Sequence, residues 1–121
     1  MGQIVDIFQQ AKDNEDVRRV LETGAHTQVV IMSIPPGGEI GEETHSDNDQ
    51  VLHLVAGAGQ VMLEGHTADF DAGDLVLVPA GTRHNFTAGP DTPLKIVTTY
   101  SPPHHPDGTV HRTKAEADAA E

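Results

Sequence analysis

Two glycine-bounded segments decide the fold of this chain: residues 37–57 read GGEIGEETHSDNDQVLHLVAG, and residues 73–85 read GDLVLVPAGTRHN. Each contains a short run of branched apolar residues bounded by Gly, Pro, Asn or Asp, which is the pattern of a β-strand between turns. The turns also carry Glu, Gln and His side chains, whose oxygen and nitrogen atoms can ligate a metal ion. The segments therefore predict strands with polar side chains at their ends.

Similar short strands are predicted within these segments and on both sides of them. They cover residues 17–22, 28–34, 50–55, 60–63, 75–78, 84–87 and 94–100. Because Gly57 and Gly59 signal a turn, residues 60–63 are predicted to pair back on residues 50–55 as a hairpin. Strands that recur about every ten residues, without long helical periodicity, predict an all-β sandwich or barrel. Residues 4–16 fit either a strand entering a turn or a short helix.

Composition limits the class of protein. A chain of 121 residues is long enough for one domain with one core. One Tyr, three Phe and no Trp mean that Val, Ile and Leu must form most of that core. The absence of Cys excludes disulfides and thiolate metal sites, and it is typical of a reducing compartment.

Charge excludes two classes of partner. Seven Lys and Arg stand against nineteen Asp and Glu, for a net charge of −12. Such a chain lacks the basic surface that binds nucleic acid, and an anionic membrane surface would repel it. Residues 1–10 have no basic start followed by an apolar run, so no signal peptide is predicted. We expect a cytoplasmic protein.

Four polar side chains form a candidate metal site. In an extended strand residues i and i+2 share a face, so Glu43 and His45 point together and Glu42 points away. Gln50 and His84 each open a following strand. If these strands are neighbours in a barrel, two imidazoles, one carboxylate and one amide oxygen converge, which suits a divalent first-row transition metal.

The same alternation assigns other side chains to a face. His53 has the opposite parity to Gln50 and should face outward, while Leu52 and Leu54 face inward. Arg83 should point away from the site. Phe86, two residues after His84, should line the pocket and limit its size. Tyr100 is the only phenol in the chain, and the sequence leaves its direction open.

The first segment resembles the first motif of the cupin superfamily: Gly, five residues, His-x-His, three or four residues, Glu, six residues, Gly. Gly37 precedes Glu43 by that interval, and His45 takes the place of the second His. Four residues later Gln50 takes the place of the Glu, and Gly57 closes the motif.

The second segment resembles the second cupin motif in full. Gly73, Pro79, Gly81 and His84 reproduce Gly, five residues, Pro-x-Gly, two residues, His. The Asn that often closes this motif falls at Ala88. The resemblance covers about residues 30–100 and implies a cupin-type double-stranded β-helix, or jelly-roll barrel, over residues 1–101. Short non-β segments flank it, and residues 102–121 form a polar C-terminal arm with a frayed helical end.

Two departures concern the metal site. Glu43 replaces the first His of the motif and Gln50 replaces its Glu, so the four ligands still carry one negative charge in total. We therefore interpret Glu43, His45, Gln50 and His84 as ligands of one divalent ion: Mn, Fe, Ni, Co, Cu or Zn. Three alternatives stay open: Glu43 as a solvated charge, Gln50 as an internal hydrogen-bonding partner or a bridge to a metal-bound water, and His45 and His84 as structural residues.

Function follows only as what the resemblance implies. Cupins include dioxygenases, isomerases, decarboxylases and lyases, so we expect a metal-dependent enzyme acting on a small oxygen-rich molecule, with no general acid or base identifiable. The alternative is a non-catalytic small-molecule-binding, metal-binding or sensing module.

Two further expectations concern the chain ends. The resemblance implies a homodimer, with residues 17–22 covering an exposed sheet edge. The stretch SPPHHPDGTVHRTKAEA resembles the C-terminal segment of small single-domain cupins. Its residues His104, His105 and His111, with Asp107, fit either a solvated arm or a second metal site.

Overall fold

A computed structural model of the protein describes residues 5–120. The elements in chain order are α1 (Ile7–Asp13), β1 (Arg18–Thr23), β2 (Gln28–Ile34), β3 (Glu43–Thr44), β4 (Asp49–Ala56), β5 (Ala58–Leu63), β6 (His66–Asp71), β7 (Leu75–Val78), β8 (Arg83–Ala88), β9 (Leu94–Ser101), β10 (Val110–His111) and α2 (Lys114–Ala119). The strands form a six-stranded sheet, β10-β1-β2-β9-β4-β7, and a four-stranded sheet, β3-β8-β5-β6. Neighbouring strands are antiparallel throughout, so the predicted all-β jelly-roll class is confirmed.

The segment whose structure the sequence leaves open begins at Ile4, which lies outside the described residues, and continues into helix α1. The Asp6 side chain caps this helix by accepting a hydrogen bond of 3.2 Å from Gln9 N. Asn14 has extended backbone angles and ends the helix. Among residues 5–120 no helix is long and apolar enough to span a membrane.

The predicted hairpin between residues 50–55 and 60–63 is wrong. β4 pairs with β7 and β9 in one sheet, whereas β5 pairs with β6 and β8 in the other. The chain crosses between the sheets after an irregularity at Leu54–Ala56. Gly57 and Gly59 permit this crossing, because a Cβ atom at either position would lie 2.1 Å from the carbonyl oxygen of Pro93 or Thr87.

The core lies between the inner faces of the two sheets. It is mostly aliphatic, as the composition predicts, and Phe70, Phe86 and Tyr100 supply its fully buried aromatic rings. Leu52 and Leu54 are fully buried, whereas His53 between them contacts Phe8 of α1 on the outer face, with ring centroids 6.1 Å apart. The predicted parity of β4 is therefore confirmed.

Strand β1 lies inside the six-stranded sheet. It pairs with β2 on one side and, at Arg18 and Arg19, with β10 on the other. β10 comes from the C-terminal segment, and α2 follows it with a capping box between Thr113 and Glu116. The C-terminal segment therefore pairs with the barrel through β10 while most of its described residues stay exposed.

Candidate metal centre

Pairing of β3 with β8 brings Glu43 and His84 to one face. Glu43 is the Cα partner of His84, and directly opposite residues in a ladder point to the same side of the sheet. His84 is 2% exposed and the Glu43 side chain 15% exposed. Glu42 and Arg83 lie 3.6 Å apart with side chains about half exposed, so both point away from the site as predicted.

His45 joins Glu43 and His84. Its Nε2 atom lies 2.9 Å from Glu43 Oε2, and its ring centroid lies 5.2 Å from that of His84. One ligand atom from each of the three residues lies within 4.8 Å of the others. A hydrogen bond of 2.9 Å from Gly81 N to His45 O ties the loop that carries His45 to the turn before β8. The structure thus brings three of the four predicted ligands together.

The fourth predicted ligand, Gln50, lies on the inner face of the neighbouring sheet. It is 2% exposed, and its Nε2 donates a hydrogen bond of 3.1 Å to Thr98 Oγ1. Gln50 is the Cα partner of Tyr100, whose ring centroid lies 5.7 Å from that of His45. The Thr98 contact orients the amide, so that Oε1 is the atom left to accept another partner.

Two buried polar atoms of the predicted ligands have no hydrogen-bond partner within residues 5–120: His45 Nε2 and Gln50 Oε1. The contact of 2.9 Å between His45 Nε2 and Glu43 Oε2 has the length of a hydrogen bond but not its direction. Because buried polar atoms are nearly always paired, these two require an explanation. The nitrogen and oxygen donors present fit a divalent first-row transition metal, which would satisfy both.

A backbone contact fixes the tautomer of His84. Its Nδ1 atom lies 2.9 Å from Thr82 O. A carbonyl oxygen can only accept, so Nδ1 carries the hydrogen and Nε2 keeps the lone pair with which an imidazole ligates a metal.

The protonation states also suit a metal site. Burial raises the pKa of the Glu43 carboxyl, but its contact with His45 and the charge of Arg18 outweigh this effect and hold that pKa below its ordinary value. Burial lowers the pKa of His84 below its ordinary value, although the Thr82 carbonyl opposes the change. At neutral pH Glu43 is therefore a carboxylate and His84 a neutral imidazole, the forms that bind metals.

The sequence matches the model of a known protein family. The family model described as the cupin domain matches residues 30–100, more than half of the sequence. The chain belongs to the cupin family. The resemblance carried by the two sequence motifs is thereby confirmed.

Three known proteins illustrate the similarity of this cupin to others. The uncharacterized protein YrkC of Bacillus subtilis is 44% identical over 126 residues, covering 98% of this chain and 67% of YrkC. The crystal structure of BH2720 from Bacillus halodurans matches with a TM-score of 0.96 and 40% identity, covering 98% of this chain and 95% of that one. An acireductone dioxygenase of Picosynechococcus is 44% identical over 68 residues, covering 51% of this chain and 38% of that enzyme.

Arg18 is a residue of the site in this cupin that the sequence motifs do not predict. The residue is 3% exposed, and its Nη2 atom lies 3.8 Å from Glu43 Oε1. It shares the inner face of β1 with Val20, two residues later. The separation of two residues between Arg18 and Val20 is the only sequence signal that Arg18 is buried.

The C-terminal segment covers the centre. The ring centroid of His104 lies 4.5 Å from that of His45, and the ring stacks on Tyr100 at 5.4 Å. Its Nδ1 atom lies 3.2 Å from Asn48 Oδ1. His104 therefore contacts the site while it stays exposed, and Tyr100, whose direction the sequence leaves open, points inward.

Gln28 holds that segment in place. Its Oε1 accepts hydrogen bonds from the backbone N–H groups of His104 and His105, at 3.2 and 3.0 Å. Its Nε2 donates to His105 O at 2.8 Å. Gln28 is fully buried at the start of the apolar strand β2. Its side chain thus forms the hydrogen bonds with the backbone of His104 and His105 that a neighbouring strand would otherwise form.

A second metal site is not found among residues 5–120. Glu43, His45 and His84 are the one group of three or more His, Asp or Glu with ligand atoms close enough to share an ion. His104, His105, His111 and Asp107 form no such group. Phe86, by contrast, is placed as predicted: it is fully buried, with its ring centroid 6.1 Å from that of His84.

Proposed function

We propose that this cupin holds one divalent transition metal ion through Glu43, His45, Gln50 and His84, and that it is an enzyme acting on a small oxygen-rich molecule. The observation that carries the proposal is the meeting of ligand atoms from Glu43, His45 and His84 within 4.8 Å. The buried, unpaired Oε1 of Gln50 supports a fourth ligand. An ion would satisfy atoms that hydrogen bonds within the chain leave unsatisfied.

The charge of this ligand set supports the same proposal. One carboxylate and three neutral ligands carry a single negative charge, as three His and one Glu do in the usual cupin motif. Compared with the usual motif, the carboxylate has therefore moved from position 50 to position 43, and the total charge of the four ligands is unchanged. Mn, Fe, Ni, Co, Cu and Zn all accept such mixed nitrogen and oxygen ligands.

The chemistry divides between the ion and the chain. When bound, a divalent metal supplies Lewis acidity toward an oxygen-bearing substrate or an open coordination position. The chain orients the ligands through the contacts of Thr82 with His84 and of Thr98 with Gln50. The buried rings of Phe86 and Tyr100 form an apolar wall that keeps bulk water away.

Among the dioxygenase, isomerase and lyase reactions that cupins perform, the partial similarity to acireductone dioxygenase supports an oxygen-dependent one. The matched region spans 38% of that enzyme. We therefore propose an oxygen-dependent reaction for this cupin.

Metal content and turnover test the proposal together. Protein without a polyhistidine tag is analysed by mass spectrometry for metal, and then assayed with diketones, hydroxy acids and sugar phosphates, with and without oxygen. We expect about one ion per chain and a turnover that EDTA abolishes and metal restores. A wild-type protein that takes up no first-row metal would contradict the proposal.

A non-catalytic binding module is the second candidate. It is favoured by the cover that His104 and Tyr100 form over His45, whose side chain is 10% exposed. A covered site retains an ion well but restricts the entry of a substrate. Stoichiometric metal without turnover, together with a ligand-dependent rise in Tm, would favour this candidate.

A further inference from the structure

A cavity of about 290 Å³ lies beside the candidate metal centre. It is lined by one permanent cation, Arg18, and three imidazoles, His104, His105 and His111. No carboxylate of residues 5–120 lines it. It adjoins the metal centre because Arg18 lies 3.8 Å from Glu43 and the His104 ring contacts the His45 ring.

Arg18 is a buried cation with too few partners. Its Nη1 lies 3.3 Å from His111 Nδ1, and its Nη2 is 3.8 Å from Glu43 Oε1, beyond hydrogen-bond distance. Its Nε atom is buried and has no partner in the described part of the chain. Burial of a charge is unfavourable unless hydrogen bonds and a counter-charge compensate it, and a guanidinium is shaped to bind a planar carboxylate through two parallel N–H groups.

His105 offers a second unsatisfied nitrogen in the same cavity. Its Nε2 atom is buried without a partner within residues 5–120. Gln28 fixes the backbone of His105 through hydrogen bonds to its N–H and its carbonyl. Two residues with an unpaired nitrogen atom, one on β1 and one in the C-terminal segment, thus line one cavity that has no carboxylate among residues 5–120.

We propose that this cavity binds the carboxylate group of the substrate, with Arg18 and His105 as donors. The inference rests on the proposed function. It places the carboxylate of the substrate beside the candidate metal centre, and the substrate oxygen atoms that react at the proposed metal ligands. It narrows the oxygen-rich substrate to a small carboxylic acid that carries a hydroxyl or oxo group near its carboxylate. A volume of about 290 Å³ accommodates a molecule of that size.

Calorimetric titration with lactate and pyruvate tests the inference, with lactamide and pyruvamide as uncharged counterparts at constant ionic strength. The metal-loaded protein should bind the acids at least about tenfold more tightly than the amides, since hydrogen bonds to charged groups are the stronger ones. Arg18→Gln should weaken acid binding about tenfold or more and leave amide binding unchanged. Equal binding of acid and amide by the wild type would overturn the inference.

Arg19→Gln is the matched control. Arg19 is the next residue on β1, but it lies on the surface, 2.8 Å from Asp16. This variant should bind the acids as the wild type does, and the same loss in both variants would overturn the inference. His105→Phe provides a second route if Arg18→Gln folds poorly; it should also weaken acid binding, and retention of full affinity would remove His105 from the site.

The metal content of each variant separates this inference from the proposed function. Arg18→Gln should keep its metal while it loses acid binding, because Arg18 is not a ligand. The titration is repeated on EDTA-treated protein, where the preference for acid over amide should persist more weakly. A wild type that binds no metal yet still prefers the acids would reject the metal centre and keep the anion site.

Discussion

Glu43 lies directly opposite His84 in the β3–β8 ladder, and this pairing places two adjacent glutamates on opposite faces of the sheet. Glu43 turns toward the histidines, whereas Glu42 turns outward to Arg83. Glu42 is therefore an internal control for Glu43, because the two side chains are identical and one residue apart but differ in burial and in their contacts.

The first prediction uses that pair. Glu43→Ala and His84→Ala should each lower metal affinity by more than the roughly 10- to 100-fold loss typical of residues that only support a ligand. His45→Ala should do the same. Glu42→Ala should leave the affinity unchanged, because its exposed ion pair with Arg83 lies outside the barrel. Competition with a fluorescent chelator measures the affinities, and equal effects at positions 42 and 43 would show that the register is wrong.

The second prediction concerns Gln50. Gln50→Glu should retain one ion per chain, because a carboxylate oxygen replaces the amide oxygen at the position where cupins usually carry Glu. The added negative charge should favour the metal-bound state over the metal-free state. Metal analysis before and after chelator treatment checks this, and complete loss of metal from Gln50→Glu would argue against direct ligation.

The third prediction concerns acid stability. Burial, followed by the charge of Arg18, lowers the pKa of His105 from 6.5 to about 3. Below pH 6.5 the unfolded chain therefore takes up a proton at this residue that the folded chain does not. The resulting loss of stability begins as pH falls through 6.5 and continues toward pH 3.

Urea unfolding of metal-free protein at pH 7 and pH 5 measures this effect. His105→Asn should lose less stability between the two pH values than the wild type does. His26→Asn, at an exposed position between β1 and β2, should behave like the wild type. A wild type and His105→Asn with the same pH dependence would contradict the buried, neutral state of His105.

The fourth prediction concerns the crossing between the sheets. Gly59→Ala should destabilise the fold by about 3 kcal/mol or more, because the new Cβ would lie 2.1 Å from Thr87 O and the backbone would have to move. Gly24→Ala is the control, since its nearest contact would be an ordinary 3.4 Å. Urea midpoints compare the two, and similar midpoints would contradict the close approach of β5 to β8.

The fifth prediction concerns assembly. We expect a homodimer, and the structure favours β7 over β1 as its contact, because β7 is an edge strand and its Leu75 and Leu77 are 64% and 55% exposed. Light scattering should give twice the chain mass, and Leu77→Lys should shift it toward the monomer. A monomeric wild type would reject the dimer, and a dimeric Leu77→Lys would place its interface elsewhere.

Local patterns predicted most strands well. Strands β2 and β7 have the predicted bounds, because apolar runs between Pro, Gly and Asp residues mark both ends. Strand β6 was missed, since its residues HTADFD are mostly polar and only Phe70 is buried. An edge strand needs few apolar residues, so periodicity gives little signal for it.

Only part of the candidate site was predicted, because sequence patterns report on residues that are close together in the chain. Glu43, His45 and His84 follow from motif spacing and strand parity, which depend on residues close in sequence. Arg18 and His104 reach the same place from opposite ends of the chain, and no spacing rule connects them to it. The hairpin error at Gly57 also has a tertiary cause, since closure of the barrel sends β5 to β8 and away from β4.

By itself the sequence determined most of the strands, the two cupin motifs and the face on which each candidate ligand lies, because side-chain direction alternates with a fixed period of two along a strand. Only the tertiary structure decided what surrounds those ligands: a buried arginine, an aromatic wall and a C-terminal segment that Gln28 holds across 77 residues of chain. Such contacts depend on how strands that are distant in sequence pack together, so they stabilise the protein only once the barrel has closed.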